Sequence, residues 1–177
     1  MSAHGGESII AGVNDPALLQ FLADTDATEQ LGRALAAARP QRAVVYLHGE
    51  LGAGKSTLAR AALRALGVTG PIRSPTYTLV ERYPLADGGE AVHLDLYRIG
   101  HAGELEFLAL GDAEPALWLV EWPERGLGGL PGADLVVELA IEGVGRAARI
   151  RPESGTGRSW MSRLEGVGRL HAVSSVT

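Results

Sequence analysis

The chain has 177 residues, 46% of them hydrophobic and 21% charged, enough for one domain with its own core and too apolar for a disordered chain. A formal net charge of -5 excludes a global positive field that would draw the chain onto nucleic acid, and the lack of cysteine excludes disulfides and thiolate metal sites. The N-terminus shows no charged segment ahead of an apolar core, and no apolar run is long enough to span a bilayer, so a cytoplasmic protein without membrane contact is expected.

Residues 1–177 read as a single domain, with residues 1–20 as a weakly patterned leader and about 167–177 as a tail. Within the leader, Ile9 and Ile10 suggest an edge strand or turn. Asp26-Ala27-Thr28-Glu29 has the spacing of a capping box, and Leu31, Ala34, Leu35 and Ala38 follow at helical intervals until Pro40. Ala43 to Leu47 is a continuous apolar run, which predicts a buried strand. Gly49 to Gly54 breaks it, and Lys55 to Leu66 predicts a second helix closed by Gly67. After a polar loop over 68–76, strands are expected at Tyr77 to Val80 and Val92 to Tyr97, joined through the turn Asp87-Gly88-Gly89. A short helix at Glu104 to Leu110 and a buried strand at Ala116 to Val120, ending on Glu121, come next. Leu135 to Ile141 and Ala147 to Ile150 predict a hairpin about Gly143 and Gly145, followed by a helix near Trp160 to Leu164.

Gly49-Glu50-Leu51-Gly52-Ala53-Gly54-Lys55-Ser56 satisfies G-x-x-x-x-G-K-[ST] between that apolar strand and that helix. Polyphosphate charge demands this composition. Glycines let successive backbone N–H groups turn inward as an anion nest, and the following helix adds its positive end. Lys55 then reaches the β- and γ-phosphates, and the Ser56 hydroxyl ligates Mg²⁺. Lys55 is also the sole lysine beside fifteen arginines, a compact ammonium where a guanidinium is too bulky. The second magnesium group is expected on a buried strand that ends in a carboxylate, since ligands sit outside the carboxyl ends of strands in α/β sheets. Glu121 meets that condition, and an ordinary strand-end glutamate facing water is the alternative. As a strand-end polar group it is expected to contribute little to the core. Asp95 shares one strand face with His93 and Tyr97, which is either a solvated edge or a wall of the nucleotide cleft. In the cleft, Asp95 could orient a water or accept its proton, while His93 reads as structural. Thr76, in Arg73-Ser74-Pro75-Thr76-Tyr77, is either a switch-like sensor of the γ-phosphate or part of a proline-stiffened connector.

A guanine-reading N-K-x-D motif is impossible here, because the one asparagine is Asn14 and no second lysine exists. No L-S-G-G-Q run marks a transporter ATPase. A small-molecule or nucleoside kinase stays open as the alternative enzyme class, although Arg82, Arg98 and Arg125 are scattered rather than clustered as a lid. A module that binds ATP as a switch and scarcely hydrolyses it is the non-enzymatic alternative. The phosphate loop through Thr57, Ser74-Pro75-Thr76-Tyr77-Thr78-Leu79-Val80-Glu81, His93-Leu94-Asp95-Leu96-Tyr97-Arg98 and Leu119-Val120-Glu121-Trp122-Pro123 together closely resemble the bacterial TsaE (YjeE) family. The likeness runs from near Asp26 to about Arg149.

That resemblance implies an α/β, three-layer P-loop NTPase fold with a central, mostly parallel sheet and antiparallel flanking strands. It implies slow ATP hydrolysis with ATP and Mg²⁺ as ligands. It also implies action with a TsaB–TsaD heterodimer in threonylcarbamoyl transfer to adenosine 37 of tRNA, the tRNA being reached indirectly through the complex. By position, Glu50, Leu51, Gly52, Ala53, Gly54, Lys55, Ser56 and Thr57 match the nucleotide-binding loop, and Ser56 and Glu121 the metal positions. Lys55, Asp95 and Glu121 match residues needed for activity, and Trp122 a tryptophan beside the nucleotide. Arg146, in Gly145-Arg146, matches a nucleotide contact, and Thr25 lies in a segment approaching the adenine. Ser56 stands where threonine is commoner, and either supplies the hydroxyl.

Overall fold

The computed structural model describes residues 17–108, 110, 114–167 and 171–172. Its strands β1 (Leu18–Leu22), β2 (Ala43–His48), β3 (Val80–Pro84), β4 (Glu90–Asp95), β5 (Leu117–Glu121), β6 (Leu135–Glu142), β7 (Gly145–Pro152) and β8 (His171–Ala172) make one sheet. The order is β3-β4-β5-β2-β6-β7-β1-β8. The central strands β4, β5, β2 and β6 run parallel, and β3 on one side and β7, β1 and β8 on the other are antiparallel to their neighbours. This is the α/β sheet with antiparallel flanks that the sequence led us to expect.

Alternation along the central strands sorts the core into two faces. Val45, Leu47, Leu117, Leu119 and Val137 face the helices α1 (Thr25–Ala37), α2 (Lys55–Ala65) and α3 (Gly155–Val167), whose Leu31, Leu35, Leu58, Leu63, Trp160 and Leu164 complete that cluster. Tyr46, Trp118, Val120 and Val136 face the other way, where a 3₁₀ helix (Ala102–Leu108) and the loop after β5 cover them through Leu105, Leu108 and Leu130. The third layer is therefore short helical turns and loop. Helices α1 and α2 cross closely at Gly32, where a Cβ would stand 2.5 Å from the Leu58 carbonyl oxygen. Trp160 ties α3 to α1 by donating its indole N–H to Leu35 O at 3.1 Å. Among the described residues no helix is long and apolar enough to cross a membrane.

Several boundaries differ from the sequence expectation. The cap of α1 is Asp24, whose Oδ1 accepts from Ala27 N at 2.8 Å, two residues before the expected box. Asp26 and Glu29 instead pair with Arg33 on the exposed side of that helix. β3 begins at Val80 because residues 75–78 form a turn and Leu79 takes a left-handed φ of 65°. Helix α2 ends as expected, with Gly67 at φ 87° and its N–H donating to Arg64 O while Val68 N–H donates to Leu63 O. Strand β1 was not anticipated, and the edge strand or turn expected about Ile9 and Ile10 lies outside the described residues.

Candidate active site

Three parallel strands deliver their carboxyl ends to one place: β2 runs into the glycine-rich loop, β4 ends on Asp95 and β5 ends on Glu121. Register aligns Asp95 with Glu121 and Glu121 with Leu47 across neighbouring strands. All three sit at the sheet edge where α2 begins.

The loop has the backbone that its composition predicts. Gly49, Gly52 and Gly54 have φ values of 144°, 79° and 105°, a conformation that residues with a Cβ rarely adopt. Gly54 precedes α2 and offers no capping side chain, so the first-turn N–H groups of that helix have no side-chain acceptor. Ala53 is fully buried beneath the loop, while Glu50 and Leu51 stand at its exposed tip. Lys55 is buried, donating from Nζ to Gly49 O at 2.6 Å and Glu50 O at 2.9 Å. Burial pushes its ammonium below the ordinary lysine pKa, against the upward pull of Glu121, Asp95, Glu124 and Glu50.

Trp122 closes the site from the β5 end. Its backbone is left-handed, φ 56° and ψ 48°, a conformation that costs a bulky residue of order 1–3 kcal/mol. The strained turn sets the indole over Lys55, with Nζ 4.3 Å from the ring centroid. Tyr97 supports the indole at 5.0 Å between centroids, and Arg125 lies over Tyr97 in turn. The remaining arginines weighed as a lid have separate partners: Arg98 lies over the exposed ring of Tyr77, and Arg82 pairs with Glu90.

The carboxylates are not surface groups. Glu121 accepts from Ser56 Oγ at 2.9 Å through Oε2 and lies 2.7 Å from His93 Nε2 through Oε1. Asp95 accepts from Tyr97 N through Oδ1 at 3.0 Å and from Thr76 Oγ1 through Oδ2 at 3.1 Å. Both alternatives that placed these acids in bulk solvent therefore fail, since Asp95 is 5% and Glu121 2% exposed. Thr76 is tied to the site, and Ser74 Oγ lies 2.7 Å from its hydroxyl.

The expectation that Glu121 matters little to the core also needs correction. Alanine there would strip a buried imidazole and the Ser56 hydroxyl of their partner, a loss of about 1–3 kcal/mol. We expect Glu121→Ala to lower the unfolding free energy from denaturant titration by that amount, and an unchanged value would contradict the burial seen here.

A cleft of about 220 Å³ holds Lys55, Ser56, Thr76, Asp95, Glu121 and Trp122 together. A second, of about 340 Å³, lies on the far side of Gly52, Gly54 and Thr57 and is lined by Thr25, Thr28 and Arg146. The shared residues make the two clefts halves of one groove over the loop. Arg146 donates from Nη2 to Gly52 O at 3.0 Å, and its Nε is buried without a partner. Tyr97 lines the cleft, as one of the two readings of its face allowed, while sequence reasoning missed Thr28 in the groove and His93, buried behind it, as the partner of Glu121. The face shared by His93, Asp95 and Tyr97 was the available signal. Which of its members met Glu121 depended on the pairing of β4 with β5.

Comparison with known proteins places the chain in a family. The family model for threonylcarbamoyl adenosine biosynthesis protein TsaE matches residues 22–149. A tRNA threonylcarbamoyladenosine biosynthesis protein TsaE from Haemophilus influenzae is 41% identical over 121 residues, covering 67% of this chain and 76% of that protein. Its namesake from Synechocystis is 41% identical over 120 residues, covering 64% and 74%. The crystal structure of YdiB from Bacillus subtilis superposes with a TM-score of 0.70 over 86% of this chain and 96% of that one, and at 22% identity it speaks for the fold alone. With the matched segment spanning the phosphate loop, both strand-end carboxylates and the Arg146 cleft, the chain belongs to the TsaE family.

Proposed function

We propose that this chain, acting as one P-loop domain, binds Mg-ATP in the groove over residues 49–57 and hydrolyses it to ADP and phosphate. In doing so it serves threonylcarbamoyladenosine modification of tRNA together with a TsaB–TsaD heterodimer. The observation that carries the reading is the juxtaposition at the start of α2. An ammonium, a hydroxyl and two buried carboxylates from adjacent parallel strands converge there on an uncapped helix N-terminus.

The residues present fit the ligands. A Cβ added at Gly52 would meet nothing within 4 Å, so the loop is open where a polyphosphate would lie. The unpartnered Nε of Arg146 supplies a further donor at the groove. Ser56 and Glu121 offer the hard oxygen donors that Mg²⁺ takes, and bound there it would neutralise charge on the β- and γ-phosphate oxygens. Lys55 leaves the loop carbonyls for the phosphates, keeping its charge between polyphosphate and indole. Asp95 faces the same cleft and orients the attacking water, whose oxygen bonds to the γ-phosphorus as the bond to the β,γ-bridging oxygen breaks. The water proton passes to the carboxylate or the departing phosphate. Thr76, held by Asp95, is placed to exchange that bond for one to the γ-phosphate and so couple the loop to nucleotide state. Thr25 and Arg146 bound the half-groove that would take the adenosine end.

Reconstitution tests the proposal. With TsaB–TsaD, tRNA and the threonylcarbamoyl-adenylate donor, we expect multiple turnovers of tRNA modification only when both this chain and ATP are present. ADP and inorganic phosphate should appear without an acceptor. Modification at full rate in its absence, or a phosphorylated metabolite as product, would reject it.

A further inference from the structure

Glu121 is gripped from two sides, and only one grip comes from the phosphate loop. Ser56 holds Oε2, while Oε1 lies against the ring of His93. His93 has no exposed surface, so water does not compete for this contact. A carboxylate accepts and cannot donate, which places the shared proton on Nε2 of the imidazole. His93 Nδ1 is buried and has no partner. A phenyl ring would fill similar volume without that orphaned atom. What the imidazole adds is the single bond to Glu121. The sheet explains its reach: His93 stands opposite Leu119 in the β4–β5 register, on the same face as Glu121 two residues further on.

We propose that His93 is a positioning residue, whose Nε2–H fixes Oε1 of Glu121 so that Oε2 stays aimed at Ser56 and the metal site. A glutamate so held presents one oxygen in one direction instead of sampling its rotamers. This inference rests on the reading that Ser56 and Glu121 hold Mg²⁺, and its test separates the two.

Calorimetry of a non-hydrolysable ATP analogue across a Mg²⁺ titration would compare wild type, His93→Phe, His93→Gln and Glu121→Gln. In EDTA wild type, His93→Phe and His93→Gln should bind the analogue alike, because neither His93 variant changes a group that lines the cleft. His93→Phe is expected to raise the half-saturating Mg²⁺ about tenfold or more, the usual effect of losing a partner that orients a metal ligand. His93→Gln, whose amide N–H can reach the same oxygen, should restore most of that loss. If Glu121→Gln shifts the Mg²⁺ requirement and His93→Phe does not, the positioning role falls and the magnesium reading stands. Equal shifts in the Phe and Gln variants would also overturn it, since packing alone would then explain them. If Glu121→Gln changes nothing, both readings fall. Imidazole ¹⁵N spectra of the ligand-free wild type need no variant to fold: a proton on Nε2 is expected, and a ring bare at Nε2 would overturn the proposal.

Discussion

Lys55→Ala is expected to bring ATP turnover at least about 10³-fold below wild type, to the limit of a phosphate-release assay. The phosphate charge grows at oxygens that only a few groups can reach, and Lys55 is the one full positive charge buried in the cleft. Removing one neutral donor from such a site typically costs about 10²–10³, and an ammonium in low dielectric contributes more than a neutral donor. Misfolding is the competing explanation for a dead variant, and the structure separates the two. Burial disfavours the ammonium, as its lowered pKa records, so the ligand-free fold carries this charge at a disadvantage. Methionine fills nearly the same volume without a charge. Lys55→Met, which loses two bonds to loop carbonyls but also the buried charge, should therefore match Lys55→Ala in lost turnover while unfolding near the wild-type temperature. Undiminished turnover in either variant would show that the cradle has been assigned wrongly.

The phosphate loop was legible because its function is a backbone shape, and that shape forces glycine at Gly49, Gly52 and Gly54 between an apolar strand and an alanine-rich helix. Glu121 was legible for a related reason, closing a five-residue buried strand just before Trp122-Pro123. Other features depended on pairings between segments distant in the chain. Strand β1 holds Leu18, Leu19, Phe21 and Leu22, but only Leu18 and Leu22 are buried, so its composition shows no alternation to read. Its partner β7 lies more than a hundred residues away. The cap of α1 could not be placed locally, since Asp24 and Asp26 both stand ahead of the same apolar stripe. Asp24 takes the role because its extended backbone aims the carboxylate at Ala27 N. Asp95 stayed ambiguous until the neighbours of β4 were known. With β3 on one flank and β5 on the other, β4 is an interior strand, and on the face that might have been solvated His93 and Asp95 are buried.

Asp95→Asn should cut turnover by about 10²–10⁴, the range in which a positioned acid or base contributes, while ATP affinity stays within about threefold of wild type. The substitution suits this site. Tyr97 N–H donates to Oδ1, so the amide oxygen of asparagine can take that position and leave its nitrogen towards Thr76. Thr76 Oγ1, which donates to Oδ2 in the wild type, has lone pairs to accept from that nitrogen once its own proton rotates away. Both contacts therefore survive, the one from Tyr97 unchanged and the one with Thr76 reversed in direction, and the melting temperature should move little. What asparagine cannot supply is a negative charge to orient and draw a proton from the attacking water. A loss confined to the rate of the chemical step, with binding and stability kept, would follow only if Asp95 faces the reacting water. Turnover within twofold of wild type would instead make Asp95 a latch for Thr76, and the attacking water would need another partner in the cleft.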